Sequence, residues 1–283
     1  MLRDGQDRIV VAGGCRRSFV GRYLSNGSLD PSFNAAGDRP GLALTELSVS
    51  GETNSEILGM VLDDEGRIVG GAYSTYVDDT GFHVDSAVVR FLPEGILDAS
   101  FNPGGARPGV VITRHSDGFD VNFRVAIDAQ GRILAAGDAF VGVGQGLFDV
   151  AVSRYLSNGS LDPSFGNDGV VFIGLGPNDS DDDAQGIAVQ HDGKIVVAGS
   201  AAPTAFTFDS DFAAARLLPD GTLDPLFGEG GIAVTPTAPG TADDEIFAAA
   251  FQGGAKLVAS GECDQPATGR DACVVRYKLG DED

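Results

Sequence analysis

Short apolar runs rich in Val, Ile, Ala and Phe, broken by Asp-Gly or Asn-Gly pairs, follow one another along the chain. No stretch shows a convincing 3.6-residue apolar period, so the pattern predicts short strands and tight turns. One stretch typifies it: "GIAVQ" (186–190) leads into the turn "HDG", and "KIVVAGS" (194–200) follows. After a longer loop come "DFAAARLL" (211–218), a "PDG" turn, the phrase "LDPLFG" and then "GIAVT" (231–235). These runs read as strands a to d of one antiparallel unit, because Asp-Gly and Asn-Gly accept the positive φ that hairpin turns need. Strands b and c are apolar at nearly every position instead of alternating. That predicts burial on both faces, as for a sheet lying between neighbouring sheets.

The unit recurs. "RYLSNGSLDPSF" (22–33) is followed by "RFLPEGILDASF" (90–101), an identical "RYLSNGSLDPSF" (154–165), "RLLPDGTLDPLF" (216–227) and a shortened "RYKLGDED" from Arg276. A second phrase keeps step: "DRIVVAGG" (7–14), "GRIVGGA" (66–72), "GRILAAG" (131–137), "GKIVVAGS" (193–200) and "AKLVASG" (255–261). Five copies of about 62 residues account for residues 1–283 as one domain with no linker. Tandem four-stranded antiparallel units covered on both faces predict an all-β fold, a five-bladed β-propeller. The competing β-solenoid uses much shorter coils. The first and last copies are incomplete. Either they complement each other and close a five-bladed ring, which is the expectation, or the arc is a fragment of a larger propeller.

The "LDPSFG…GVV…DDA…GIAVQHDGKIVVAGS…DFAAARLLPDG" grammar resembles the delta-60 repeat family of bacterial, mostly large secreted or surface proteins. The resemblance covers all five copies, with Ala99 replacing the usual Pro in the second. It implies a propeller fold and a secreted or cell-surface location, and it carries no agreed activity. The start "MLRDGQDRIVVAGG" holds no apolar run of signal-peptide length.

Within the phrase, Arg and Asp keep a spacing of eight: Arg22 with Asp30, Arg90 with Asp98, Arg154 with Asp162, and Arg216 with Asp224. Strand alternation places Arg216 on the face of Phe212 and Ala214, which packs against another blade. An unpaired guanidinium there is costly, so each Arg is expected to reach the Asp of its own or a neighbouring blade. Phe33, Phe101, Phe165 and Phe227 then act as plugs between blades. Four copies argue for a structural role, since one reaction needs one site.

In such a propeller the a–b and c–d connections share one face, and here they are uniform. The b–c and d–a connections share the other face, and they vary: residues 73–85, 138–149, 174–184 and 262–271. Variable loops on a rigid scaffold are the usual home of binding, so a protein or glycan partner is expected there. Asp85, Asp149, Asp211 and Asp271 each stand five residues before the strand-c Arg and are expected to form a partial ring, with Arg17 breaking it in copy one. His83 and His115 belong to the same face, and His191 to the opposite one. Asp179, Asp181 and Asp183 at alternate positions resemble the opening of a calcium loop, although Ala184 and Gln190 stand where that loop needs Gly and Glu. Calcium is therefore a weak candidate cofactor, and calcium-dependent lectin-like binding a minor reading.

Charge narrows the partners. Nineteen basic against forty-one acidic residues give a net charge of −22, a field that repels nucleic acid and anionic lipid. No apolar run is long enough to span a bilayer. No nucleophile elbow or zinc-type spacing appears. Plentiful carboxylates leave a glycan hydrolase with axial acids as the rival to a binding or scaffolding module. Cys263 and Cys273 bracket the last b–c loop and are expected to form a disulfide, whereas Cys15 faces Phe19 in the first copy and is read as a lone thiol.

Overall fold

The computed structural model describes residues 1–14, 16–48, 54–142, 148–176, 181–202, 210–236, 244–252, 256–265 and 268–280. Every regular element among them is a strand. Blade 1 comprises β1 (Leu2–Arg3), β2 (Ile9–Gly14), β3 (Ser18–Tyr23) and β4 (Leu42–Thr45). Blade 2 comprises β5 (Ser55–Leu62), β6 (Ile68–Asp78), β7 (Gly81–Phe91) and β8 (Val110–Thr113). Blade 3 follows with β9 (Asp120–Ile127), β10 (Ile133–Phe140), β11 (Phe148–Tyr155) and β12 (Val170–Ile173). Blade 4 has β13 (Gly186–Val189), β14 (Ile195–Ala201), β15 (Asp211–Leu217) and β16 (Ile232–Thr235), and blade 5 has β17 (Glu245–Gln252), β18 (Lys256–Gln265) and β19 (Gly269–Lys278). Each blade is an antiparallel meander, and blades 1 and 2 are also linked by a single bridge between Gly14 and Glu56. The first strands of successive blades lie side by side, so they line the axis, and the architecture is a β-propeller.

The double-sided burial read from strands b and c has its cause in blade packing. Val10, Val20 and Phe33 of blade 1 share a core with Ile57, Ile68, Ala87 and Val89 of blade 2. Leu134, Val152 and Phe165 of blade 3 pack on Ile195, Val197 and Ala215 of blade 4. One face of each middle blade thus serves the blade before it and the other the blade after it.

Two details differ from expectation. Residues 73–85, read as a loop, continue β6 and β7 as a long ladder from Tyr73↔Ser86 to Asp78↔Gly81. The run Tyr-Ser-Thr-Tyr-Val favours an extended backbone, and Asp78 braces the turn by accepting from the Thr80 amide and hydroxyl. Among the described residues, no strand pairing joins the first blade to the last. β1 pairs with its own β2, and blade 5 has three strands among the described residues. Gly95, Gly159 and Gly221 are buried against the preceding blade, whereas among the described residues nothing lies within 4 Å of where a side chain on their counterpart Gly27 would begin.

Candidate functional site

The repeated phrase builds the joint between blades. Arg22, Arg90, Arg154 and Arg216 each donate from Nε to Asp30, Asp98, Asp162 and Asp224 at 2.7–2.9 Å, all within their own blade. The other side of each guanidinium crosses to the next blade, where it donates to the carbonyl of Pro93, Ser157, Pro219 or Leu279. Each guanidinium also lies over the ring of its own Phe33, Phe101, Phe165 or Phe227, 4.5–5.0 Å from the centroid. Phe33, Phe101 and Phe165 in turn fill the space over Gly95, Gly159 and Gly221 of the following blade, where positive φ and the missing side chain admit the ring. Burial alone raises the pKa of Asp30, Asp98 and Asp162. The serine two residues on and the paired arginine outweigh it, and all three carboxyls stay below the usual range.

A second ion pair escaped the sequence reading. Asp4, Asp63 and Asp128 open the a–b turns, cap the amides two and four residues on, and bind the Nε of Arg8, Arg67 and Arg132 at 2.6–2.7 Å. Arg8 and Arg132 reach on to Asp30 and Asp162, extending the joint to that face. The signal was available as Asp four residues before the Arg in "DGQDR", "DDEGR" and "DAQGR". Grooves of about 590 Å³ and about 380 Å³ open beside these turns, between blades 1 and 2 and between blades 2 and 3.

On the opposite, variable face each of the four aspartates of the expected ring stands on the third strand of its blade. Asp85, Asp149, Asp211 and Asp271 occupy equivalent register positions, opposite Ser74, Ala139, Ala201 and Cys263. These strands belong to blades 2 to 5, so one aspartate stands on each of these blades, away from the axis. Asp271 accepts from the Thr268 hydroxyl at the tip of its own hairpin.

Asp85, His83 and His115 instead gather where blades 2 and 3 meet. His83 is buried, stacks on Tyr76 at 4.8 Å, and is held by Asp78 and Thr80. Arg114 lies over Tyr76 and donates to Asp85 at 3.3 Å. Burial, and then the charge of Asp120, push the Asp85 carboxyl up to about 6. Asp120, fully buried and absent from the sequence reading, accepts from the amides of His115 and Ser116 and from the Ser116 hydroxyl. His115 meets Phe172 edge-on, and burial lowers its pKa against the pull of Asp120.

This cluster supports an aromatic strip that the sequence also left unseen. Phe82 (56% exposed) and Phe119 (48%) stand 6.0 Å apart, beside exposed Val77. The amide of Phe140 bonds the Phe119 carbonyl, and Phe140 packs edge-on against Phe148. Asp78, Asp79 and Asp117 edge the same loops. The arrangement offers stacking and apolar contact within an acidic rim.

Two aspartates of the candidate calcium loop accept backbone amides. Asp181 accepts from the amide of Phe148 in blade 3, and Asp183 from that of Ser200 in blade 4, so each braces a different strand. Asp179 lies outside the described residues, as does Cys15. Among the described residues no three metal-ligating side chains cluster. Cys263 and Cys273 are bonded across β18 and β19.

The axis holds a cation. In β5, β9 and β17 a bulge leaves Leu58, Phe123 and Phe247 as the extra residue. Arg124 of β9 donates to all three of their carbonyls, at 3.3, 2.9 and 3.0 Å. Burial lowers its pKa.

A family model described as "Domain of unknown function (DUF5122) beta-propeller" matches residues 7–33, 130–165 and 190–227. Each segment runs from a b-strand phrase through the joint phrase that closes blades 1, 3 and 4. The chain is a β-propeller repeat protein. No curated protein matches it. Among solved structures it is similar to the hydrazine synthase of Kuenenia stuttgartiensis, at 14% identity and a TM-score of 0.41, over 95% of this chain and 38% of that one. It is also similar to an exo-1,5-alpha-L-arabinanase from a bovine ruminal metagenomic library, at 10% identity and a TM-score of 0.40, over 98% and 95% of the two chains.

Proposed function

We propose that this chain is a non-enzymatic binding or scaffolding module of a secreted or surface protein, with repeats of delta-60 type. Its partner docks on the variable-loop face at the junction of blades 2 and 3. The carrying observation is the pair of exposed rings, Phe82 and Phe119, 6.0 Å apart on a hairpin that carries the Tyr76–His83 stack and on a connection tied by Asp120. Exposed aromatic groups on a fixed base are the usual anchors of a protein interface. The acidic rim and the net charge of −22 favour a basic protein segment carrying apolar residues. An axial hydrolase finds less support, because Arg124 occupies the axis.

An array of Lys/Arg-rich peptides interspersed with Leu and Trp, printed beside neutral glycans and probed with and without calcium, tests this. The reading expects peptide binding that fades with salt and is lost in Phe82→Ala/Phe119→Ala while the melt is preserved. Glycan-only or calcium-dependent binding, or binding indifferent to those two rings, contradicts it.

A further inference from the structure

The joint and turn arginines each bind a carboxylate. Arg124 does not. Its three bonds go to neutral carbonyls, those of Leu58, Phe123 and Phe247 from blades 2, 3 and 5. Among the described residues no Asp or Glu pairs with it, and burial lowers its pKa with no acid opposing the shift. A guanidinium carries five N–H donors, so Nε and one terminal hydrogen are left without an acceptor among the described residues. A cation partly withdrawn from water is costly until an anion joins it.

The position is shaped for this side chain. Gly59, Gly186 and Ala248 hold the same register in blades 2, 4 and 5 that Arg124 holds in blade 3, opposite Gly71, Ala198, Ser260 and Ala136. A Cβ on Gly59 would come within 2.4 Å of the Phe123 carbonyl and 3.3 Å of Arg124 Cδ, so the glycine leaves open the lane that the arginine stem crosses. From the bulges to the a–b turns the innermost strands read LGMVL (58–62), FRVAI (123–127), QGIAV (185–189) and FAAAF (247–251), and Arg124 is the single charge among them. One cation among apolar residues suits a ligand with one negative charge and an apolar body. The chain's own −22 disfavours the entry of dianions such as phosphate esters.

We propose that Arg124 anchors an axial binding site for a small monocarboxylate with an apolar body, the guanidinium taking the carboxylate and the innermost strands the apolar part. The site uses none of the residues of the aromatic strip, so it stands apart from the docking surface at blades 2 and 3.

Calorimetric titration of the 283-residue chain at fixed ionic strength with butanoate, pentanoate and hexanoate, each beside its primary amide, tests this. Hexanoate should bind with a dissociation constant of about 1 mM or tighter, and hexanamide about tenfold more weakly or worse. Each added CH2 should tighten the acids by up to about fourfold. Arg124→Lys keeps the charge but loses the planar fork and should weaken hexanoate about tenfold, while Arg124→Met should abolish binding. Phe82→Ala/Phe119→Ala should bind hexanoate as the unaltered chain does. Because Arg124→Met also removes bonds that hold the axis, magnetic resonance on the unaltered chain with isotopically labelled arginine gives a reading free of that loss. The Nε–H signal missing from Arg124→Lys should shift with hexanoate and stay fixed with hexanamide. Amides that bind as well as acids, binding that survives Arg124→Met, tighter binding of inorganic phosphate, dependence on Phe82 and Phe119, or an unmoved Nε–H signal overturns the proposal.

Discussion

Arg154 makes four different contacts at one point: a carboxylate and a serine hydroxyl in its own blade, a phenyl ring beneath it, and a carbonyl in the next blade. Removing its partner leaves a buried charge without compensation, which costs about 3–5 kcal/mol. Asp162→Ala should therefore lower the melting temperature by about 6–20 °C, at roughly 2–4 °C per kcal/mol. A differential scanning measurement that finds no shift would count against the joint. Asp85 makes the opposite case. Its carboxyl is raised to about 6 by burial and then by Asp120, so the stability it contributes is complete below the ordinary carboxylate pKa and is lost as pH rises through 6. Asp85→Asn, neutral at every pH, should stabilise the protein at pH 7.5 by ~1–3 kcal/mol, with the gain vanishing by about pH 4. Urea titrations at both pH values check the sign.

Strand order and blade number were legible because the chemistry repeats: Asp-Gly turns, apolar b and c runs, and a phrase that marks the end of strand c. The Arg–Asp spacing was equally visible, since both partners have side chains. The crossing to the next blade was not visible, because its acceptor is a backbone carbonyl and carries no letter of its own. The aromatic strip was hidden for another reason. Phe82, Phe119, Phe140 and Phe148 belong to four different strands or connections, and only the register of blades 2 and 3 brings them together. The bulges at Leu58, Phe123 and Phe247 left no trace either, and with them went the role of Arg124. Arg124→Met keeps the apolar stem but forfeits three carbonyl bonds. It should cost roughly 2 kcal/mol in chemical denaturation, the scale of a net hydrogen bond to a charged group. An unchanged midpoint would mean that the axis does not need its cation.

At the scale of the molecule, five similar sheets become one body because each is clamped to the next, and the clamp is the phrase the chain keeps repeating. Identical sequence does not ensure identical surroundings, as exposed Gly27 and buried Gly159 demonstrate. Hydrogen exchange read by mass spectrometry on Arg154→Ala tests the clamp most directly. Faster exchange should appear both in residues 154–165 of blade 3 and in the turn 217–223 of blade 4, because one side chain holds the two. Faster exchange confined to blade 3, with the blade 4 turn as protected as before, would contradict the account.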